Sequence, residues 1–370
     1  MKENWTYKKL GEVCDVKTGK LDANASDENG LFPFFTCSKE PLRINTYSYD
    51  SECILVAGNG DLNVKYYNGK FDAYQRTYII TLKNGITDIY VRYLYCFFLI
   101  YIETLRKRSI GGVIKYIKLG DITEAKVYIP TFSEQHRIVS ELDLLQSIID
   151  KQQAQLKELD KLAQAIFYDM FGDPVENEKG WEVKKLGECC DSVSYGTSAP
   201  ASSQGKFIYL RMNNITYRGE LDLTDVKYID LESTDFEKYS VKEGDILFNR
   251  KNSAELVGKT TWFHKYEPMV IAGYIIRVRL NETLRPVYVS TFMNTKEMKM
   301  ILKAMGKGAV NQANINSKEL QSIRVPVPPL SLQQSFAAKI ESIEKQKAAI
   351  SQSIAETKKL YDYTMDKYFG

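Results

Sequence analysis

Two long stretches of the chain carry apolar residues in alternating steps of four and three. The first holds Ile138, Leu142, Leu145, Ile149, Gln152, Leu156, Leu159, Ala163, Ile166 and Met170. The second holds Phe336, Ile340, Ile343, Lys347, Ile350, Ile354, Thr357, Tyr361, Thr364 and Tyr368. Nine of ten positions are apolar in the first and seven of ten in the second, the pattern of a coiled-coil seam. Gln152 and Lys347 interrupt the seams and are expected to set register. Thr131 with Glu134, and Ser331 with Gln334, fit capping boxes, and Gly172 and Gly370 stand where left-handed caps would end each helix. About 36–38 residues of helix would rise roughly 55 Å.

Elsewhere the period shortens towards two. Residues 53–57 and 244–250 read as strands, and 78–82 with 274–278 as a second matched pair. A helical stretch follows each, over 90–107 and 286–305, and then a glycine break at Gly111-Gly112 and at Gly306-Lys307-Gly308. Extended, proline-ended strands close both regions at 127–130 and 325–328.

These regions repeat. Trp5-Thr-Tyr-Lys-Lys-Leu-Gly-Glu-Val-Cys-Asp15 returns as Trp181-Glu-Val-Lys-Lys-Leu-Gly-Glu-Cys-Cys-Asp191, an offset of 176, while 130–172 returns as 328–370 at an offset of 198. The chain therefore divides into a module over 1–130, a helix over 131–172, a linker over 173–180, a second module over 181–328 and a second helix over 329–370. The expected fold is α+β: two similar strand-rich modules separated by two long antiparallel coiled-coil helices, with pseudo-two-fold symmetry. High effective concentration favours pairing of the helices within one chain over homodimerisation.

Composition narrows the class. A chain of 370 residues, 44% apolar and 26% charged, is ordinary for a folded protein of about two domains. Residues 1–5 lack the apolar core of a secretory signal, and the longest apolar run, 93–102, is too short to span a bilayer. Six cysteines without CxxC spacing read as free thiols in a reducing cytoplasm. His136 and His264 lack partner ligands, so no metal site is expected. Residues 1–129 carry a net charge of +3 and 181–327 carry +4, against −5 for 130–180. Positive charge thus lies in the modules, where a polyanion would be met.

Catalytic signatures are missing from the sequence. It holds no Asn/Asp-Pro-Pro-Tyr/Phe tetrapeptide for gripping a flipped adenine, no cofactor-type glycine loop and no Walker lysine loop. No catalytic residue is assigned.

The repeated openings at 5–11 and 181–187 belong to a wider pattern. Tyr209-Leu-Arg211-Met-Asn213-Asn-Ile215, Gly244-Asp245-Ile-Leu-Phe-Asn-Arg250, Asn311-Gln312-Ala-Asn314-Ile315 and Pro326-Val-Pro-Pro329-Leu-Ser-Leu-Gln333-Gln334 complete it. Over nearly the whole chain this resembles the specificity subunit of type I restriction-modification systems. The first module departs from the pattern: Ile114-Lys115-Tyr-Ile117 stands where Gln-Ala-Asn-Ile would be, and Leu31-Phe-Pro33-Phe-Phe-Thr36 has no counterpart.

The resemblance implies that each module is a target recognition domain reading one half of a bipartite, gapped, asymmetric target in double-stranded DNA. It makes the helices a ruler, roughly 16 base pairs long at 3.4 Å per step. It also implies two methyltransferase subunits, two restriction/translocase subunits and a cytoplasmic setting without a membrane. No cofactor belongs to this chain; S-adenosylmethionine, ATP and Mg²⁺ are implied on the partners.

Base readout needs bidentate Arg, Asn or Gln, with Lys for phosphates. The candidate DNA-binding residues are Lys17, Lys20, Arg76, Arg106, Lys107, Arg108 and Lys115 in the first module. In the second they are Arg211, Asn213, Arg250, Lys251, Lys307, Asn311, Gln312 and Asn314. The helix-pair and partner interface is assigned to Ile138, Leu142, Leu145, Ile149, Leu156, Leu159, Ile340, Ile343, Ile350 and Ile354. The competing readings are a protein–protein scaffold with paired modules on a coiled coil, and the specificity subunit of a type II-like methyltransferase-nuclease.

Overall fold

In the computed structural model, which describes residues 5–265, 267–306 and 312–370, the chain forms two compact units. One combines the chain up to Gln153 with Ser351–Gly370, and the other is Ala154–Ile350. This cuts across the linear division into modules and helices, because each unit takes a part of both long helices.

In the first unit, strand Thr6–Lys9 pairs antiparallel with strand Lys126–Ile129, Thr6 facing Ile129. In the second, Glu182–Lys185 pairs with Arg324–Val327 in the same way. The opening and closing segments recur together in sequence because each module is closed by pairing one on the other.

The first module holds a six-stranded sheet in the order Cys14–Thr18, Thr77–Leu82, Tyr49–Ala57, Val64–Ala73, Phe32–Phe35, Leu42–Ile44. Helix Val91–Arg108 presents Tyr93, Leu94, Phe98 and Leu105 to Ile54, Val56 and Ile80 of that sheet. The same core takes in Ile138 and Leu142 of one long helix and Met365 and Tyr368 of the other. Arg137 donates to Tyr368 Oη at 2.8 Å, and Gln152 Nε2 donates to Ser353 Oγ at 2.7 Å, so the helices run antiparallel in this unit.

Beside its two-stranded pairs, the second module divides its remaining strands between two larger sheets. One is ordered Cys190–Tyr195, Ile275–Leu280, Ile246–Asn249, Thr260–Trp262, and the other Lys227–Ile229, Phe207–Leu210, Met269–Ile271. Its core is aromatic where it meets the helices: Phe167 and Phe171 lie 5.8 and 5.2 Å from Phe336, ring to ring. Asp160 meets Lys347 at 2.9 Å, again an antiparallel pairing.

The long helices are Phe132–Phe171 and Leu330–Phe369, 40 residues each, a rise of about 60 Å that exceeds the expected 55 Å. Ile138, Leu142, Leu145, Ile149, Ile340, Ile343 and Ile354 are buried, while Leu156, Leu159 and Ile350 are half-buried. Near residue 170 the seam moves to Phe167 and Phe171, because Tyr288 and Phe336 offer aromatic partners there, and Ile166 and Met170 are left at its margin.

Capping also differs in detail. Thr131 Oγ1 accepts Glu134 N at 3.3 Å, but the Glu134 carboxylate turns to Arg137 at 2.6 Å and does not close the box. Ser331 is not an N-cap, since the helix begins at Leu330 and Pro329 O accepts Gln333 N. Gly172 is left-handed at φ 76°, whereas Gly370 is not. The stretch read as one helix over 286–305 is two, Pro286–Met293 and Lys296–Met305. Thr295 caps the second through Met298 N, and Asn294 Nδ2 is drawn to Thr260 O at 2.7 Å.

All six cysteines are free. His136 stacks on Tyr90 at 4.0 Å, and His264 Nδ1 lies 3.2 Å from Trp262 O. Among the described residues no helix is long and apolar enough to cross a membrane.

Candidate nucleic-acid interface

Both modules build one backbone frame. In the second, Arg250 N donates to Tyr274 O at 2.9 Å and Arg250 O accepts Ile315 N at 2.9 Å. In the first, Gly58 N donates to Arg76 O at 2.8 Å and Gly58 O accepts Ile117 N at 3.0 Å. Gly196 N bonds Ile275 O as Gly19 N bonds Thr77 O. Ala272 N bonds Leu210 O at 2.9 Å as Tyr74 N bonds Phe35 O at 2.9 Å. The frame therefore matches Gly58 with Arg250, Arg76 with Tyr274, Phe35 with Leu210 and Ile117 with Ile315.

Two glycines make the frame possible. A Cβ on Gly196 would stand 2.2 Å from Ile271 O, and one on Gly19 would stand 2.1 Å from Ala73 O. Only glycine lets the strands approach so closely.

This matching corrects the expectation that residues 31–36 have no counterpart. Strand Phe32–Phe35 runs parallel to Val64–Ala73, Phe35 facing Ala73, as Phe207–Leu210 runs parallel to Met269–Ile271, Leu210 facing Ile271. The equivalence lies in strand pairing, which does not require like side chains. Thr36 thereby occupies the place of Arg211.

In the second module the frame edges a cavity of about 640 Å³ lined by Tyr195, Tyr209, Arg211, Asn213, Arg250 and Tyr274, among others. The Arg250 guanidinium lies over the Tyr195 ring at 4.9 Å, and Lys251 Nζ over the Tyr274 ring at 5.6 Å. Lys251 pairs with Asn314 across a two-residue ladder, and Gln312 is exposed beside it. Arg211 is engaged by Asp225 at 3.0 Å. Three of the sequence candidates thus line the cavity, Arg211, Asn213 and Arg250, while Lys251, Gln312 and Asn314 stand on the adjoining segments. Lys307 and Asn311 lie outside the described residues.

The first module gathers fewer. Arg76 and Lys115 share the frame, for Gly58 N bonds Arg76 O and Gly60 N bonds Lys115 O at 3.0 Å. Lys20 joins them through its N–H to Ala73 O at 3.1 Å. Lys17 is exposed on the edge strand, opposite Ile79. Arg106 is committed elsewhere, donating to Leu62 O at 2.8 Å and pairing with Glu103 and Asp61. Lys107 and Arg108 end their helix exposed, Arg108 donating to Tyr101 Oη at 3.3 Å.

Tyr195 and Tyr274 escaped the sequence reading. The available signal was positional: Tyr195 ends the strand begun by the repeated opening, and Tyr274 begins the matched strand pair. The motif residue Asp245, by contrast, is structural. It is buried, accepts Lys242 N at 2.9 Å and pairs with Arg279 at 3.0 Å, which sets the turn before the strand Ile246–Asn249 that leads to Arg250.

The chain is 39% identical over 159 residues to the type I restriction enzyme EcoDI specificity subunit of Escherichia coli, covering 43% of this chain and 35% of that one. It is 22% identical over 293 residues to the EcoKI specificity subunit of Escherichia coli K12, covering 73% and 62%. The matched stretches span about a third to a half of the first curated relatives, 35% and 46%. In fold it is similar to a type I restriction-modification S subunit from M. genitalium, with a TM-score of 0.62 at 16% identity, covering 99% of this chain and 96% of that one. The family profile described as the type I restriction modification DNA specificity domain matches residues 2–161 and 178–359. The protein therefore belongs to the type I restriction-modification specificity family.

Proposed function

We propose that this chain is the non-catalytic, sequence-recognising subunit of a type I restriction-modification complex. It binds a bipartite, gapped and asymmetric target in duplex DNA and positions adenine methyltransferase subunits on it. The supporting observation is the shared frame: two modules hold one backbone arrangement and place unlike side chains on it, Arg250 and Tyr274 in one, Gly58 and Arg76 in the other. One scaffold with two side-chain sets suits two different half-sites. The partners in this reading are two methyltransferase subunits using S-adenosylmethionine and two restriction/translocase subunits using ATP and Mg²⁺, all acting in the cytoplasm. The long helices supply apolar and charged surface for those partners.

The test is co-expression with the methyltransferase partner, followed by single-molecule sequencing of host DNA for N6-methyladenine. The expected result is a gapped, asymmetric motif methylated on both strands only when this chain is present. A partner complex that forms but leaves no such motif would overturn the proposal and favour a protein scaffold.

A further inference from the structure

Arg250 differs from Arg211 on the same cavity in being held in place without being neutralised. Its guanidinium is backed by the Tyr195 ring at 4.9 Å, and Nη1 donates to Gly273 O at 3.4 Å. Its backbone is tied on both sides, to Tyr274 O and Ile315 N. Arg211, on the same cavity, is compensated by Asp225, whereas among the described residues no carboxylate reaches Arg250 within 4 Å; the buried Nε of each arginine has no partner. A fixed planar fork with an aromatic backing suits a planar ligand that presents two acceptors side by side. In the major groove that ligand is guanine, through N7 and O6.

The first module cannot copy this device. A Cβ at Gly58 would stand 2.4 Å from Arg76 O and 3.0 Å from the Tyr78 ring. Its cation sits instead in the turn before the strand Thr77–Leu82, where Arg76 is exposed at the position matched to Tyr274. We propose that Arg250 reads a guanine in the half-site taken by the second module, and that Arg76 supplies the corresponding contact in the first. This rests on the DNA-recognition reading above.

The test compares the native chain, Arg250→Gln, Arg250→Lys and Arg76→Gln, each co-expressed with the methyltransferase partner, by the methylated motif. The native motif is expected to hold a fixed guanine in one half. Arg250→Lys keeps the charge but loses the fork, and should weaken that guanine preference by about ten- to a hundredfold. Arg250→Gln should move the preference towards adenine, which glutamine pairs bidentately. In both variants the other half stays unchanged, and Arg76→Gln alters that other half alone. If Arg250→Gln fails to fold, Arg250→Lys decides the question. An unaltered motif, changes in both halves, or a uniform loss at every position (the mark of a phosphate contact) would overturn the proposal. A native chain that directs no gapped motif removes the DNA-recognition reading itself, a separate failure.

Discussion

Gln135 and Gln333, 198 residues apart, make the same three hydrogen bonds in their own modules. Gln135 Oε1 accepts Tyr90 N at 2.8 Å, and its Nε2 donates to Asp88 O and Pro130 O at 2.9 and 3.0 Å. Gln333 Oε1 accepts Arg285 N at 2.8 Å, and its Nε2 donates to Thr283 O and Pro328 O at 3.2 and 2.8 Å. Both side chains are fully buried. Each glutamine ties the first turn of a long helix to the loop that starts its module's own helix. A buried amide that satisfies one donor and two acceptors fixes orientation as well as contact.

Gln333→Leu should therefore destabilise the second unit well beyond a surface change. It leaves Pro328 O buried, and Arg285 N and Thr283 O half-buried, without their partner, at a cost of about 2–4 kcal/mol after relaxation. Gln333→Glu should cost more, because an ionised carboxylate would face two carbonyl oxygens and donate to neither. Hydrogen exchange resolved along the chain measures this, with the first unit as internal reference. A loss below about 0.5 kcal/mol for both variants would show the clamp to be incidental.

Lys347 is the second polar residue with a definite partner set. It reaches Asp160 at 2.9 Å, Glu344 at 3.2 Å and Glu220, while Arg218 also holds Asp160. Burial works against the lysine's charge, but its bonds to Glu220 and Asp160 outweigh this and lift its pKa above the ordinary 10.5. A raised folded pKa means that the contribution is fully present below pH 10.5 and is lost as pH rises through the folded value. Lys347→Met should cost about 1–3 kcal/mol near pH 7, with the difference from the native chain shrinking above about pH 11. A double-mutant cycle with Asp160→Asn reads the coupling, and additive effects would refute it.

The helices and the repeated strands were legible in the sequence because both rest on periodicity that survives in one dimension. The four-three seam placed Ile138, Leu142 and Ile340 correctly, and the two offsets marked strands that turn out to pair. Gln152 and Lys347 stood out as polar interruptions, yet only the fold shows Ser353, Asp160 and Glu220 opposite them. The frame was hidden for a different reason. Its matches, Gly58 with Arg250 and Phe35 with Leu210, are defined by backbone hydrogen bonds that do not depend on side-chain identity. Tyr195 was invisible for the same reason: its role comes from the Arg250 guanidinium above it, 55 residues further along the chain. Arg106 looked like a surface cation and is held by Asp61 and Leu62 O, contacts that no local pattern announces.

Lys299 gives a prediction of opposite sign to Lys347. Its buried Nζ makes no hydrogen bond and lies over the Tyr217 ring at 4.9 Å. Burial, and then repulsion from Lys259, lower its pKa to about 8. Between pH 8 and 10.5 the unfolded chain holds the extra proton, so native stability rises with pH across that window. Lys299→Met should stabilise the second unit by about 1–3 kcal/mol at pH 7, less the cation–π contact, and the gain should vanish near pH 10.5. Thermal unfolding followed from pH 7 to 10.5 measures it. Destabilisation at pH 7 would mean that the ring contact outweighs the burial.

Salt dependence separates the cations that meet DNA from those that hold the fold. Lys115 is exposed, makes no ion pair among the described residues, and stands on the first module's frame through Gly60. Arg106, nearby in the sequence, is instead occupied by Glu103 and Asp61. Each phosphate neutralised steepens the logarithmic fall of affinity with salt by about 0.9. Lys115→Ala should therefore weaken binding to all duplexes alike and reduce the slope by about 1. Arg106→Ala should leave the slope unchanged while loosening the loop around Leu62. Fluorescence anisotropy with a labelled duplex, titrated across salt, reads both. An unchanged slope in Lys115→Ala, or an equal drop in Arg106→Ala, would show that exposure and ion pairing in the first module do not mark its phosphate contacts.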